Sequence, residues 1–132
     1  FYLSQAAIPE LIKRHGSIVN VASAGGINGA AYIVPYSVTK AGLIQMTKSM
    51  AMEFMNEPIR INAIAPGTMD TKMNVNVLRG GFPEGIDQAL IARYSGFRPW
   101  ADPTEVANMI AYMLTDATMA LHGAVIAVDG SK

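Results

Sequence analysis

The 132-residue sequence predicts an α/β fold in which helices cover both faces of a parallel, doubly wound sheet. Three short apolar runs, at residues 17–22, 60–65 and 123–128, have the composition of buried strands. Segments with helical spacing precede each run, so helix and strand alternate along the chain. Three strands alone would leave an open sheet edge, and the alternation therefore favours a larger parent fold.

The first helix is predicted over residues 1–13, which carry apolar side chains at helical spacing, and Gly16 follows as a stop signal. The strand at 17–22 comes next. Its almost continuous apolar character is more typical of a strand covered on both faces than of an edge strand. Because Phe1 already lies inside the helical pattern without a capping residue before it, we expect a segment upstream of this sequence.

A long second helix is predicted from about Pro35 to Phe54. Its apolar side chains form one stripe that should face the sheet: Leu43, Ile44, Thr47, Met50, Ala51 and Phe54. Three methionines, at positions 46, 52 and 55, extend the apolar surface around the side. Such a helix needs two partners, and we expect the sheet to be one and a second subunit to be the other.

The strand at 60–65 ends at Pro66-Gly67, and roughly thirty residues without a clear long element follow it. A connection of that length predicts a functional lid or substrate loop, with short helices around 71–78 and 85–94. Its apolar residues between Lys72 and Trp100 would either close a pocket over a hydrophobic or acyl substrate or only pack the loop onto the body. The sequence does not separate these two alternatives.

The last helix has a strong start signal, with Asp102 as the cap, Pro103 at the first position and Glu105 at the third. It is predicted to run to about Leu114. The inward side chains should be Val106, Ile110, Met113 and Leu114. The third strand then closes at Asp129-Gly130.

The composition narrows the possible functions. The net charge is zero, with both signs scattered, so neither a nucleic acid nor an anionic membrane would find a basic surface. The sequence contains no cysteine and two histidines, which argues against any ordinary metal site. It also lacks a run of 18 apolar residues, and we expect a soluble, cytoplasmic protein.

Tyr36 and Lys40 are the first candidate catalytic pair. They lie one helical turn apart on the second helix, so both side chains project from the same face. An ammonium near a tyrosine hydroxyl stabilises the phenolate, which lets the hydroxyl exchange a proton with an alcohol or a carbonyl. Taken alone, the pair is also compatible with a surface tyrosine beside a solvated lysine.

Ser23 is the third candidate catalytic residue. It directly follows the first strand, at the end where parallel sheets bind their ligands, and it precedes Tyr36 by thirteen residues. A hydroxyl there can hydrogen-bond a substrate oxygen while Tyr36 transfers a proton to it. The alternative is that Ser23 only caps a turn.

Four blocks of the sequence together resemble the short-chain dehydrogenase/reductase family: IVNVAS at 18–23, YSVTKAG at 36–42, INAIAPG at 61–67 and VDG at 128–130. Their order and spacing fit across essentially all 132 residues. The resemblance implies a Rossmann-like fold, of which residues 1–132 are the C-terminal catalytic and substrate half. It also implies an NAD- or NADP-dependent oxidoreductase that interconverts a secondary alcohol and a ketone, and a homodimer or homotetramer.

The resemblance assigns a role to each candidate. Tyr36 would be the general acid/base, Lys40 would favour its deprotonated form and hold the nicotinamide ribose, and Ser23 would orient the reacting oxygen. The other cofactor-binding positions would be Pro66, Gly67, Met69 and Thr71. Glycine at 67 would allow close approach of the nicotinamide, although Pro-Gly after a strand is also an ordinary turn.

The sequence departs from the family pattern at its start. The glycine-rich phosphate turn, the residue that selects NAD or NADP and the family's catalytic asparagine would all precede Phe1. The glycines at 25, 26 and 29 do not replace that turn, because they follow the strand that carries Ser23. Two alternatives to an active enzyme therefore stay open: a non-catalytic assembly module that dimerises through its long helices, and a piece of a complete enzyme.

Overall fold

The computed structural model describes residues 1–72, 81–94 and 98–130. Within them, three strands form one sheet: β1 (Ser17–Val21), β2 (Arg60–Pro66) and β3 (Val125–Val128). The α-helices of this part of the chain are α1 (Tyr2–Lys13), α2 (Val34–Glu53), α3 (Gln88–Ala92) and α4 (Pro103–Met113). The predicted alternation of helix and strand is confirmed, with boundaries that differ by one or two residues for most elements.

All three strands are parallel, in the order β1-β2-β3. The register pairs Ser17 with Arg60 on one side of β2 and Ala63 with Val125 on the other. Every residue of the central strand β2 is buried. The prediction that β1 is not an edge strand was wrong for the described residues: β1 is an outer strand of this three-stranded sheet, and Val21 is 45% exposed.

Helices cover both faces of the sheet, as the α/β prediction requires. On one face, α1 and α2 enclose a core built around Ile8, Met50, Ala51 and Ile61. On the other face, α4 packs Val106 and Met113 against Ile64 of β2, with Ile126 and Val128 of β3 beside them. Alternate residues of a strand point to opposite faces, and β1 and β2 accordingly contribute to both cores.

The apolar stripe predicted for α2 faces the sheet. Ile44, Thr47, Met50 and Ala51 are buried. The Thr47 hydroxyl accepts a hydrogen bond from Asn20 Nδ2 of β1 at 2.9 Å and donates to the Leu43 carbonyl at 2.8 Å. Because this buried polar pair is satisfied at both ends, it fixes α2 along β1 without the penalty of an unpaired polar group. The register of α2 in turn determines where Tyr36 and Lys40 lie.

Helix α4 begins as predicted. The Asp102 carboxylate accepts hydrogen bonds from the Thr104 hydroxyl at 2.6 Å and the Thr104 backbone N–H at 2.7 Å, and these bonds hold the pKa of Asp102 below its ordinary value. The prediction that Leu114 points inward was wrong. Leu114 is the residue that caps the end of the helix after Met113, and it is 48% exposed.

The long connection after β2 is described only in part. The short helix predicted around 71–78 lies mostly outside the described residues. The one predicted around 85–94 is confirmed as the shorter α3, which Asp87 caps by accepting a hydrogen bond from the Ala89 N–H at 2.8 Å. In the part of the chain that the structure describes, no helix has the length and apolar character needed to cross a membrane, and no three metal-ligating side chains cluster.

Candidate active site

Ser23 lies just beyond the carboxyl end of β1. The preceding residue, Ala22, still pairs with β2 through its N–H, which donates to the Ile64 carbonyl at 2.7 Å. The Ser23 side chain is buried, and its Oγ accepts a hydrogen bond from the Gly25 N–H at 3.1 Å, which caps the short 3-10 turn Ala24–Gly26. The Ser23 hydroxyl therefore caps a turn, which is the alternative role that the sequence left open. It is also located where a ligand of the sheet would bind.

Tyr36 and Lys40 lie on the first turns of α2 and converge on the same sheet edge. Lys40 Nζ is 5.8 Å from the centroid of the Tyr36 ring. The same ammonium donates a hydrogen bond of 2.9 Å to the carbonyl of Val21, the last residue of β1. This contact ties α2 to the strand end that leads into Ser23, while Tyr36 stays 43% exposed at the mouth of the candidate site. The structure thus brings the three predicted catalytic residues to one edge of the sheet.

Gly26 allows the loop after β1 to dock directly on α2. A Cβ at this position would lie 2.6 Å from the Lys40 carbonyl carbon and 2.7 Å from the Ala41 nitrogen. Both atoms belong to a helix backbone, which cannot move aside as a flexible side chain can. The close packing of this glycine on Lys40 therefore contributes to placing Ser23 beside the Tyr36/Lys40 pair.

Substituting Gly26 by alanine is expected to push the loop away from α2 and to lower the free energy of unfolding by about 1–3 kcal/mol, the usual cost of overpacking. Chemical denaturation would measure the loss. Gly29→Ala is the matched control, because a Cβ at Gly29 meets nothing within 4 Å and the backbone there does not require positive φ. Equal midpoints for the two variants would contradict the close-packing argument.

The end of β2 carries the predicted cofactor-binding positions. Pro66 is buried and pairs with Val128, and the Gly67 N–H donates to the Val128 carbonyl at 2.9 Å. Gly67 is needed for a close contact that the sequence did not predict. A Cβ there would lie 2.7 Å from the Cα of Asp129, so the close approach at this glycine is to the end of β3.

Met69 and Thr71 lie on the segment that leaves β2. Met69 packs against the core beneath α4, and its backbone forms an isolated parallel bridge with Ala101. The Asp70 N–H donates to the Ala101 carbonyl at 3.0 Å, which fixes this segment beside the start of α4. Thr71 is half-buried at the end of the described stretch. These positions lie beyond the carboxyl end of β2, the central strand next to β1.

Sequence reasoning missed the role of Tyr94, which it counted only among the apolar residues of the long connection. The Tyr94 hydroxyl forms hydrogen bonds with the Ser23 side chain and with the Gly25 backbone, and it lies close enough to Tyr36 to interact electrostatically. Burial raises the pKa of Tyr94, and the charges of Tyr36 and Asp129 raise it further against the effect of the two hydrogen bonds. No local signal marks Tyr94, because its partners lie about seventy residues away in the sequence.

A separate cavity of about 550 Å³ lies beside the ends of β2 and β3. Thr68, Trp100, Met109 and Asp129 contribute to its walls, while Ser23, Tyr36 and Lys40 do not. Of the apolar loop residues that the sequence proposed for a substrate pocket, Trp100 lines this cavity. Met73, Val77, Leu78 and Phe97 lie outside the described residues.

The arrangement at the sheet edge is suited to proton transfer to or from a substrate oxygen. A half-exposed tyrosine hydroxyl can exchange a proton with a substrate oxygen, an ammonium lies 5.8 Å from the centroid of the same ring, and a buried serine can hydrogen-bond the reacting oxygen. The Lys40 ammonium and the Tyr36 hydroxyl can also donate hydrogen bonds to the hydroxyl oxygens of a ribose. Both groups lie at the accessible mouth of the site. The residues present therefore fit the nicotinamide end of a dinucleotide.

Comparison with known proteins gives a consistent family assignment. A family model described as enoyl-(acyl carrier protein) reductase matches residues 1–130. The 3-oxoacyl-[acyl-carrier-protein] reductase of Thermotoga maritima is 38% identical over 131 residues, which cover 98% of this chain and 51% of that protein. The chain thus spans about half the length of the curated relatives it matches.

Solved structures agree in fold. A 4-hydroxyisoleucine dehydrogenase mutant complexed with NADH and succinate superimposes with a TM-score of 0.82 at 28% identity, over 99% of this chain and 53% of that one. The ElxO protein with NADP bound gives a TM-score of 0.79 at 29% identity, over 96% of this chain and 50% of that one. The three-stranded sheet therefore corresponds to half of a larger nucleotide-binding fold.

Proposed function

This chain belongs to the short-chain dehydrogenase/reductase family, and from that premise we propose that it carries the catalytic centre of an NAD- or NADP-dependent oxidoreductase. The reaction would interconvert a secondary alcohol and a ketone. The contact between Lys40 Nζ and the Val21 carbonyl is the observation that carries this proposal. It holds the Tyr36/Lys40 pair at the strand end that delivers Ser23.

In the proposed reduction, the ketone oxygen lies between the hydroxyls of Ser23 and Tyr36. A bound nicotinamide supplies a hydride to the carbonyl carbon, or accepts one in the reverse direction. Tyr36 donates its proton to the oxygen as the carbon–oxygen double bond becomes single, and the resulting tyrosinate is stabilised by the Lys40 ammonium. Ser23 donates a hydrogen bond to the same oxygen as its negative charge develops. In oxidation the same residues act in reverse, with tyrosinate as the base.

The remaining assignments concern cofactor and domain. Lys40 would hold the nicotinamide ribose, and the segment from Pro66 to Thr71 would border the nicotinamide ring. Residues 1–132 would be the C-terminal half of one Rossmann-like domain, with the pyrophosphate and adenine ends of the cofactor held by residues outside this sequence. Relatives in complex with NADH and with NADP support either cofactor.

The first experiment is the intact mass of the purified natural protein, followed by a spectrophotometric assay of NADH and NADPH oxidation. A mass well above 14.1 kDa is expected, together with turnover of an acetoacetyl thioester or of a small ketone. The 3-oxoacyl substrate named for the Thermotoga maritima relative motivates the thioester. Failure of the natural protein to oxidise either cofactor with any member of a broad ketone panel would contradict the proposal.

A non-catalytic assembly module is the second candidate, and the exposed apolar face of α2 favours it. Val34, Val38 and Met52 lie on one face of that helix and are 65–69% exposed, and Tyr2 and Leu3 of α1 are more exposed still. Exposed apolar side chains on one helix face are typical of surfaces that bind another protein, here a second copy of the chain. Self-association without any binding of a nicotinamide cofactor would favour this alternative, whereas the enzyme proposal requires the cofactor to bind.

A further inference from the structure

The Tyr94 hydroxyl is located at the point where a reacting oxygen would be expected. It lies beside the loop that follows β1 and is hydrogen-bonded to the Ser23 side chain and to the Gly25 backbone. Gly25 provides the space for it, since a Cβ on that residue would be 3.0 Å from the Tyr94 oxygen and 3.5 Å from Ser23 Oγ. The loop thus has no side chain where the Tyr94 hydroxyl lies.

The hydrogen bonding of Tyr94 resembles that of a bound ketone or alcohol. Its oxygen contacts the Ser23 side chain and the Gly25 backbone, and these two hydrogen bonds act to lower its pKa. Burial nevertheless raises the pKa of Tyr94, so the group is a neutral hydroxyl near pH 7. A neutral hydroxyl that is hydrogen-bonded to Ser23 and lies near Tyr36 has the same neighbours that the proposed mechanism requires for the substrate oxygen.

A second contact holds the same segment in place. The Asp87 N–H, at the start of α3, donates to the Tyr32 hydroxyl at 2.8 Å. Tyr32 belongs to the loop between β1 and α2 and lies at positive φ, a conformation uncommon for a residue with a large side chain. The segment from Asp87 to Tyr94 is therefore attached to this loop at two points, one at Ser23 and one remote from it.

We propose that Tyr94 is a specificity-determining residue whose hydroxyl occupies the hydrogen-bonding position of the substrate oxygen and must leave Ser23 before substrate can bind. This inference rests on the proposed function, because it assumes that Ser23 binds the reacting oxygen. Each substrate must then replace the Tyr94 contact with its own hydrogen bond. Oxygens that are strong acceptors displace Tyr94 readily, whereas weak acceptors bind poorly.

Tyr94→Phe in the protein at its natural length tests the inference, because it removes the competing hydroxyl and keeps the ring. The KM for an acetoacetyl thioester or a small ketone is expected to fall on the order of 3- to 10-fold, the equivalent of one net hydrogen bond, with kcat changed less than twofold. Ser23 keeps its bond from the Gly25 N–H in this variant, so no buried group is left without a partner.

Tyr32→Phe is the matched control, since it releases the same segment at its other attachment without touching Ser23. If loosening the segment were the whole effect, both variants would lower KM alike, and the inference would be overturned. An unchanged or higher KM in Tyr94→Phe would also overturn it, the latter by showing that Tyr94 binds substrate. No turnover in the unmodified protein would defeat the proposed function and this inference together, whereas normal turnover with an unaltered KM in Tyr94→Phe would defeat the inference alone.

Discussion

Replacing Tyr36 by phenylalanine is expected to lower kcat of the natural-length protein by a factor on the order of 10²–10⁴, the usual contribution of a positioned general acid or base. The substitution keeps the ring that lies 5.8 Å from Lys40 Nζ and removes only the hydroxyl proposed to give and take the proton. Because Tyr36 is half exposed at the mouth of the site, the change leaves no cavity in either core. A steady-state assay with NADH or NADPH measures the loss.

The control for Tyr36 is Tyr112→Phe, which makes the same chemical change on the exposed side of α4, where the ring is 54% exposed. That variant should retain full turnover. Both proteins should bind the reduced cofactor, which fluorescence titration can verify, so that a lost rate is assigned to chemistry. Retention of turnover by Tyr36→Phe would remove Tyr36 from the catalytic role.

The fold followed from the sequence wherever a local signal carried it. The stripe from Ile44 to Ala51 fixed the buried side of α2, and Asp102-Pro103 fixed the start of α4. Both signals depend on residues that are neighbours within one helix. The edge position of β1 could not be predicted from the sequence. An apolar strand has the same composition whether or not a neighbouring strand on its outer side belongs to this chain.

The candidate site could be predicted from the sequence only where the order of strands and helices places residues at the carboxyl ends of the strands. Ser23 and the Tyr36/Lys40 pair met that condition, and the structure brings them together. Gly26 and Tyr94 could not be predicted in this way, because each contacts a residue that only the tertiary fold brings close. Gly26 packs on the Lys40 backbone, and Tyr94 is hydrogen-bonded to Ser23. The catalytic and binding roles of the candidate site residues are proposals, and the variants described above test them.

Arg60 is another residue whose role depends on the tertiary fold, since the sequence marks it only as the charged first residue of a strand. Its side chain is buried, 7% exposed, and reaches the carboxyl end of α4. Nη1 donates to the Met113 carbonyl at 2.8 Å and to the Thr118 hydroxyl at 2.9 Å, and Nη2 donates to the Thr115 carbonyl at 3.2 Å. Within the described residues no carboxylate forms an ion pair with this guanidinium.

These contacts make Arg60 a cap for α4 that comes from the central strand. The last carbonyls of a helix lack partners within the helix and carry the negative end of its dipole, so a cation with several donors stabilises them. The guanidinium also compensates for its own burial through these hydrogen bonds. Arg60 therefore joins the sheet to the helix that covers its second face.

Arg60→Met is expected to lower the free energy of unfolding by about 3 kcal/mol, because it keeps most of the apolar stem and leaves buried carbonyls without donors. Urea denaturation followed by circular dichroism measures the change. Arg60→Lys should lose less, since a single ammonium can still reach some of the carbonyls but cannot reproduce the planar set of donors. Arg14→Met, which removes an exposed arginine at the end of α1, should stay within about 0.5 kcal/mol of the unmodified protein. If Arg60→Met and Arg14→Met unfold at the same urea concentration, the capping of α4 by Arg60 contributes nothing measurable, and the packing of Val106 and Met113 alone holds that helix on the sheet.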